Sequence, residues 1–143
     1  MNSKIKIRLC SACLLGVACR YDGKSKPNKK VLALLKDEVV IPVCPEQLGG
    51  QKTPRENSEI KEGRVISETG RDETEEFIRG ANEVLKIAKL YNIKEAILKQ
   101  RSPSCGYGQI YNGGLTGKII KGNGFTADLL IKNGIKVISE EDL

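Results

Sequence analysis

The chain has 143 residues, 39% of them hydrophobic and 29% charged, with a formal net charge of +6. This length fits a single domain over residues 1–143, and no apolar run approaches the roughly 20 residues that a membrane span needs. The N-terminal residues alternate apolar and charged side chains, unlike a secretory signal, so we expect a cytoplasmic protein without a membrane partner. The chain contains no histidine, which excludes the commonest general base and every Cys–His or Ser–His catalytic pair.

The positive charge is concentrated at the start of the chain. Residues 1–36 carry nine lysines and arginines and a single acid, Asp22. This segment suits an anionic partner such as a phosphate or a nucleotide, although a solvated surface explains it equally well. Aromatic residues are only 4% of the chain and tryptophan is absent, which argues against a stacking platform for single-stranded nucleic acid.

The first third of the chain predicts two strands and a helix. Residues Lys4–Cys10 alternate charged and aliphatic side chains, as a half-buried strand does. Asn28 can cap a helix over residues 29–36, whose apolar side chains form one face. The β-branched run at residues 39–43 predicts a buried strand, and Pro42 within it places that strand near its end or at a sheet edge.

The rest of the chain alternates strands and helices. Residues 58–67 predict a β-hairpin, and the apolar spacing at residues 72–91 predicts a long amphipathic helix. Residues 94–99 predict a strand, residues 124–132 a helix and residues 135–138 a last strand. Two segments rich in Gly, Pro, Ser and polar residues predict loops, at 45–58 and 100–117.

Strands that alternate with helices predict an α/β fold. We expect a three-layer sandwich with a mostly parallel, Rossmann-like sheet, helices on both faces and a small hairpin insertion. In such sheets ligands bind outside the carboxyl ends of the strands.

Three of the five cysteines lie directly after predicted strands. These are Cys13, Cys44 and Cys105, and in a parallel sheet their loops emerge at the same edge. In a reducing cytosol such cysteines are ligands, catalysts or core residues rather than disulfide partners, and an odd number cannot pair completely. The pattern therefore predicts one site at which the three thiols meet.

Converging thiols without histidine leave the kind of site open. A closed zinc site needs a fourth ligand, which Cys19 or Cys10 could supply. An iron–sulfur cubane held by three thiolates leaves one iron free to act as a Lewis acid. Cysteines of this kind can also be small buried core residues, which is the favoured interpretation for Cys10.

Polar residues near these cysteines are candidates for catalysis and binding. Glu46 is the nearest proton acceptor, unless it is a solvated loop residue. The hydroxyls of Ser102 and Ser104 can bind substrate, relay a proton or cap the next segment. Asp22 belongs to a predicted turn and can also face the site, so we take Asp22 and Ser104 as substrate-binding candidates.

Together these motifs resemble those of the TudS-type, iron–sulfur-dependent thiouracil desulfidase family. The similarity spans nearly the whole chain, and the motifs are specific as a set although each is weak alone. The residues that carry it are Ser11–Gly16 (SACLLG), Cys19–Gly23 (CRYDG), Cys44–Glu46 (CPE), Gly49-Gly50, Pro54-Arg55, Gly70–Asp72 (GRD), Lys99 and Ser102–Gly106 (SPSCG).

The resemblance implies an enzyme that replaces the sulfur of a thiolated pyrimidine by oxygen without net redox change. It implies a 4Fe–4S cluster held by Cys13, Cys44 and Cys105, whose fourth iron binds the substrate sulfur as a Lewis acid, with zinc as the disfavoured alternative. It further implies Glu46 as the acid–base residue and Ser102 as an aid to binding or proton transfer. The expected substrate is thiouracil or a thiouridine nucleotide, and the product is released with sulfide.

Two other functions stay open at this stage. One is the same chemistry on thiouridine within tRNA, which the basic first quarter favours and the small size and few aromatics disfavour. The other is a non-catalytic zinc- or cluster-binding module, which requires a fourth protein ligand, with Cys19 as the first candidate.

Overall fold

The computed structural model describes residues 5–143, in which strands and helices alternate as predicted. The predicted strand start at Lys4 lies outside the described residues. The strands are β1 (Lys6–Ser11), β2 (Glu38–Val43), β3 (Ser58–Lys61), β4 (Arg64–Ser67), β5 (Glu95–Leu98), β6 (Gln109–Tyr111), β7 (Ile119–Lys121) and β8 (Lys136–Ser139). The α-helices are α1 (Lys29–Ala33), α2 (Pro45–Leu48), α3 (Thr74–Leu90) and α4 (Phe125–Lys132), and single 3₁₀ turns cover Ala12–Leu15, Leu34–Lys36 and Glu140–Asp142.

A four-stranded parallel sheet forms the centre of the molecule, in the order β2-β1-β5-β8. The strand β2 lies at an edge, which explains how it accommodates Pro42, a residue without a backbone donor. From β1 the chain moves outward to β2 and then returns to β5 on the other side of β1. The gap between β1 and β5 is therefore a topological switch point, where α/β proteins bind ligands.

Helices cover both faces of the sheet, which confirms the three-layer α/β prediction. Side chains of β1 alternate between the faces, so Leu9 packs with α3 and α4, whereas Cys10 packs with Val31 of α1. Asn28 caps α1 as predicted, because its Oδ1 accepts hydrogen bonds from the amides of Lys30 and Val31 at 3.0 and 3.1 Å.

None of the helices between residues 5 and 143 has the length and apolar character to cross a bilayer.

Two hairpins stand outside the central sheet. The predicted hairpin is β3–β4, and its turn lies at Glu62-Gly63. A second hairpin, β6–β7, was not predicted: β6 lies within the predicted loop at 100–117 and β7 follows it. Its strands are only three residues long and β7 is exposed along its length, so neither shows a clear strand pattern. Glu59 joins the two hairpins, since its Oε1 accepts the amides of Gly113 and Leu115 at 3.0 and 3.1 Å.

The segment predicted as a loop at residues 45–58 begins with the short helix α2, which lies directly on α3. A Cβ at Gly80 would come within 2.0 Å of the Pro45 carbonyl oxygen, and a Cβ at Gly49 within 2.1 Å of the Glu76 carbonyl oxygen. Only glycine permits two backbones to approach so closely. The contact fixes the position of α2, which carries Glu46.

Gly80→Ala is expected to lower the free energy of unfolding by about 2 kcal/mol, because the added methyl group overpacks this contact. At an unconstrained helix position the same change would raise stability by up to about 1 kcal/mol, since alanine is the better helix former. Urea unfolding followed by circular dichroism measures the difference, with Asn82→Ala on the exposed side of α3 as control. An unchanged or raised stability of Gly80→Ala would show that α2 and α3 are not in tight contact.

Candidate active site

A cavity of about 340 Å³ opens at the carboxyl ends of β1, β2 and β5. Strand β1 leads into the 3₁₀ turn that contains Cys13, strand β2 ends one residue before Cys44, and the loop after β5 carries Cys105. All three cysteines line the cavity. The parallel sheet thus brings together residues that are 31 and 61 positions apart in the sequence, at the switch point of the fold.

A fourth cysteine joins this group, and the fifth does not. Cys19 is 2% exposed, lines the same cavity, and its thiol lies next to those of Cys13 and Cys44. The Cys44 thiol also donates to the carbonyl oxygen of Cys19 at 3.7 Å. Cys10 is fully buried on the α1 side of the sheet and does not line the cavity, as expected for a core residue.

Cys19, Cys44 and Cys105 are free thiols in an environment that resists their ionisation. Burial raises the pKa of Cys105 to about 12, and the adjoining Cys13 thiol is the main cause that raises the pKa of Cys19 to about 11. The pKa of Cys44 is raised as well, mainly by its hydrogen bond with Cys19. Buried thiols become thiolates readily only when a cation compensates the charge, so this donor set suits a soft metal group.

The donors of this site are thiols carried by separate loops. Cys13 lies in the turn after β1, Cys44 follows β2 and Cys105 lies in the loop after β5. Ligands of an iron–sulfur cluster bind different irons, so thiols from three loops are compatible with such a group.

Glu46 lies in the first turn of α2 and faces the cavity beside Cys44. The guanidinium of Arg55 binds it, with Nε at 2.6 Å from Oε2 and Nη2 in contact with the same oxygen. Burial raises the pKa of the Glu46 carboxyl, and the nearby Arg55 opposes this shift. A carboxyl group held in a partly dry cavity has the setting of a general acid or base.

The two serines that flank Pro103 point in different directions. Ser102 lines the cavity, and its Oγ accepts the amides of Ser104 and Cys105 at 3.0 and 2.8 Å, so its own O–H stays available as a donor. Ser104 is 1% exposed and hydrogen-bonds at 2.7 Å to the hydroxyl of Thr126 in α4. The structure therefore places Ser104 behind the cavity wall.

The second substrate-binding candidate, Asp22, also lies outside the cavity lining. It occupies a surface turn, where its Oδ1 accepts the amide of Lys24 at 3.0 Å and its other oxygen lies 3.6 Å from Arg20. Its neighbours Arg20 and Tyr21 do line the cavity. The motif Cys19–Gly23 therefore lies at the site, but the cavity is lined by its first residues and not by Asp22.

Other cavity residues were not singled out as site candidates from the sequence. Tyr111 and Leu115 of the second hairpin line the cavity, as do Phe77 of α3 and Lys99 after β5. For the hairpin residues the sequence offers no signal, because their position depends on the unpredicted β6–β7 pairing. Arg55 and Lys99 belong to the motifs that carry the family resemblance, and this was the sequence signal that indicated them.

Ser102→Ala is expected to lower the free energy of unfolding by about 1–2 kcal/mol, because the amides of Ser104 and Cys105 lose their acceptor. Ser102→Thr keeps the hydroxyl and should stay close to wild type. Urea unfolding of the cluster-free protein measures both variants. Equal stability of the alanine variant and wild type would mean that water replaces the hydroxyl and that the Cys105 loop is held by other contacts.

Comparisons with known proteins point to one family. The family model described as 2-thiouracil desulfurase matches residues 9–142. A Bacillus subtilis (strain 168) protein described as "Uncharacterized protein YbbK" is 43% identical over 145 residues, which cover 94% of this chain and 96% of the relative. The solved structure of the 4Fe–4S-dependent thiouracil desulfidase TudS is 44% identical, with a TM-score of 0.91 over 98% of this chain and 93% of its own. This chain belongs to the 2-thiouracil desulfurase family.

Proposed function

We propose that this protein is an enzyme that converts a thiolated pyrimidine of the thiouracil class into the oxo base, with release of sulfide. The observation that carries the proposal is the meeting of Cys13, Cys44 and Cys105 with Glu46 at one cavity, at the switch point of the sheet. Membership of the 2-thiouracil desulfurase family and the likeness to a thiouracil desulfidase support it.

We further propose that Cys13, Cys44 and Cys105 hold a 4Fe–4S cluster. The all-thiol donor set and its arrangement on three loops support this assignment, and the similar TudS protein is described as 4Fe–4S-dependent. When bound, the cluster supplies a Lewis-acidic iron for the substrate sulfur. Cys19 stays off the metal in this proposal and packs beside the ligands.

The protein's own residues supply proton transfer in the reaction. Water adds its oxygen to the ring carbon, the carbon–sulfur bond breaks, and two protons end on the departing sulfide, so the sum is thio base plus water to oxo base plus hydrogen sulfide. Glu46 takes a proton from the water on its carboxylate and delivers it to the sulfur. The Ser102 hydroxyl, whose oxygen already accepts two amides, donates its hydrogen to the bound base.

The cavity favours a small substrate. Its volume of about 340 Å³, part of which the proposed cluster takes, lies at the lower end of the range for small-molecule sites and favours a substrate of small size. We therefore propose a free thiolated base or its nucleotide as substrate, ahead of thiouridine within tRNA. We also propose that the reaction takes place in the cytoplasm, where buried thiols stay reduced.

Anaerobic purification tests this function directly. We expect a brown protein with about four irons per chain that releases sulfide from 2-thiouracil or 4-thiouracil. Parallel assays with the thiouridine nucleotide and with thiolated tRNA define the size of the substrate. A colourless protein that binds one zinc and no iron would refute the proposal.

A further inference from the structure

Arg55 is a buried guanidinium that links three segments of the cavity wall. Its side chain is 6% exposed. Nε and Nη2 bind Oε2 of Glu46, and Nη2 also donates to the Cys19 carbonyl oxygen at 2.8 Å. Nη1 donates to the Lys52 carbonyl oxygen and to Thr53 Oγ1 at 3.2 and 3.0 Å. Nε and both Nη groups of Arg55 therefore all have hydrogen-bond acceptors.

The contacts with Glu46 are unequal for its two carboxylate oxygens. Nε of Arg55 donates a hydrogen bond to Oε2, and Nη2 makes an ion-pair contact with the same oxygen. Within residues 5–143, Oε1 of Glu46 accepts no hydrogen bond. It is also not fully enclosed by protein atoms, so it is open to the cavity that Glu46 lines. The carboxylate therefore has one anchored oxygen and one free oxygen.

We propose that Arg55 is a positioning residue for the desulfuration, which anchors Oε2 of Glu46 and thereby presents Oε1 to the reacting water. The proposal rests on the function proposed above, in which Glu46 transfers the proton. A glutamate side chain has three rotatable bonds, and a proton acceptor must be held within hydrogen-bond reach of the proton it takes. Arg55 also binds the Cys19 carbonyl, so the carboxylate is held relative to the cysteine loops.

A lysine cannot reproduce this arrangement. An ammonium group is a compact charge without a planar fork, so it cannot bind Oε2, the Cys19 carbonyl and Thr53 together. The net charge beside Glu46 would be preserved in Arg55→Lys, whereas the direction of the carboxylate would not. This difference separates positioning from simple charge compensation.

The experiment compares the holoenzyme variants Arg55→Lys and Arg55→Ala with wild type. We expect kcat to fall by about tenfold in the lysine variant and about 100-fold in the alanine variant, with KM changed by less than about threefold. Iron content and the visible spectrum per chain should stay as in wild type. Added methylguanidinium should restore part of kcat in Arg55→Ala and none in Glu46→Gln.

Arg79 of α3 provides a matched control, because it contacts the same chain segment, residues 46–55, at Gly49. Its Nη1 donates to the Gly49 carbonyl oxygen at 3.0 Å, and it does not line the cavity. Arg79→Ala removes an arginine hydrogen bond to the α2 region without touching Glu46, so kcat should stay within about twofold of wild type. A loss equal to that of Arg55→Ala would assign the effect to general loosening of the segment and overturn the proposal.

A second readout does not depend on turnover. Unfolding of the cluster-free protein is measured for Glu46→Ala, Arg55→Ala and the double variant, and we expect the double variant to lose clearly less stability than the two single losses combined. Additive losses, or wild-type kcat in Arg55→Ala with a full cluster, would refute the positioning role. If wild type itself releases no sulfide, the proposed function fails, and the unfolding cycle still decides whether Arg55 anchors Glu46.

Discussion

Glu46→Gln is expected to lower kcat for sulfide release by about 10²–10⁴-fold, the range that a general acid–base residue contributes. Glutamine has the same shape, and its amide oxygen can still accept the N–H groups of Arg55. It cannot take up a proton at working pH, so the water loses its acceptor and the departing sulfur loses its donor. The measurement is sulfide release from thiouracil under anaerobic conditions, with iron content determined for each preparation.

The control for this prediction is a second carboxylate at the same cavity. Glu56 also lines it, but its Oε1 accepts the amide and the hydroxyl of Thr69 at 3.0 and 2.6 Å. These hydrogen bonds hold the pKa of Glu56 below its ordinary value, so it is a poor proton carrier. Glu56→Gln should therefore keep kcat within about threefold of wild type. Full activity in Glu46→Gln would remove Glu46 from the mechanism.

The meeting of Cys13, Cys44 and Cys105 could be predicted from the sequence because it follows from strand order. Each cysteine comes just after an apolar or alternating segment, and parallel strands deliver their following loops to one edge. The choice between zinc and a cluster could not be made in this way. Spacing along the chain does not reveal the distances between thiols, which depend on how each loop bends after its strand.

Features that depend on side-chain direction in loops were not accessible to sequence reasoning. Ser102 and Ser104 have similar local sequence, yet one faces the cavity and the other bonds to Thr126. The contact between Glu46 and Arg55 depends on the path of the chain through residues 47–54, for which apolar periodicity gives no information. Loops carry function but lack the regular patterns from which sequence predictions are made.

The basic start of the chain is explained in part by internal pairing. Arg8 is buried and its Nε lies 2.8 Å from Oε1 of Glu38 on the neighbouring strand β2. The charge of Arg8 is therefore paired with Glu38 across β1 and β2 and is not available to a ligand. Among the basic residues of this segment that the structure describes, Arg20 lines the cavity and is placed to attract an anionic substrate.

The second large expected effect is a loss of bound iron when a cysteine of the cavity is replaced by serine. Serine in place of Cys13, Cys44 or Cys105 should reduce iron from about four per chain to less than about one, because a cubane with two protein ligands is lost during purification. Cys10→Ala should keep full iron, since Cys10 is a fully buried core residue that does not line the cavity. Colour and metal content of each variant are measured before any assay.

Cys19→Ser decides between the enzyme and the non-catalytic module. The Cys19 thiol lies against those of Cys13 and Cys44, so it is the one residue placed to occupy a fourth ligand position. If three cysteines hold the cluster and one iron is left for substrate, Cys19→Ser keeps its iron and its spectrum. If Cys19 is a ligand, the variant loses iron as the other three do, no iron is left open for the substrate sulfur, and the proposed desulfuration has no Lewis acid. Retained iron together with sulfide release therefore identifies a catalytic centre, whereas loss of iron in all four variants identifies a structural one.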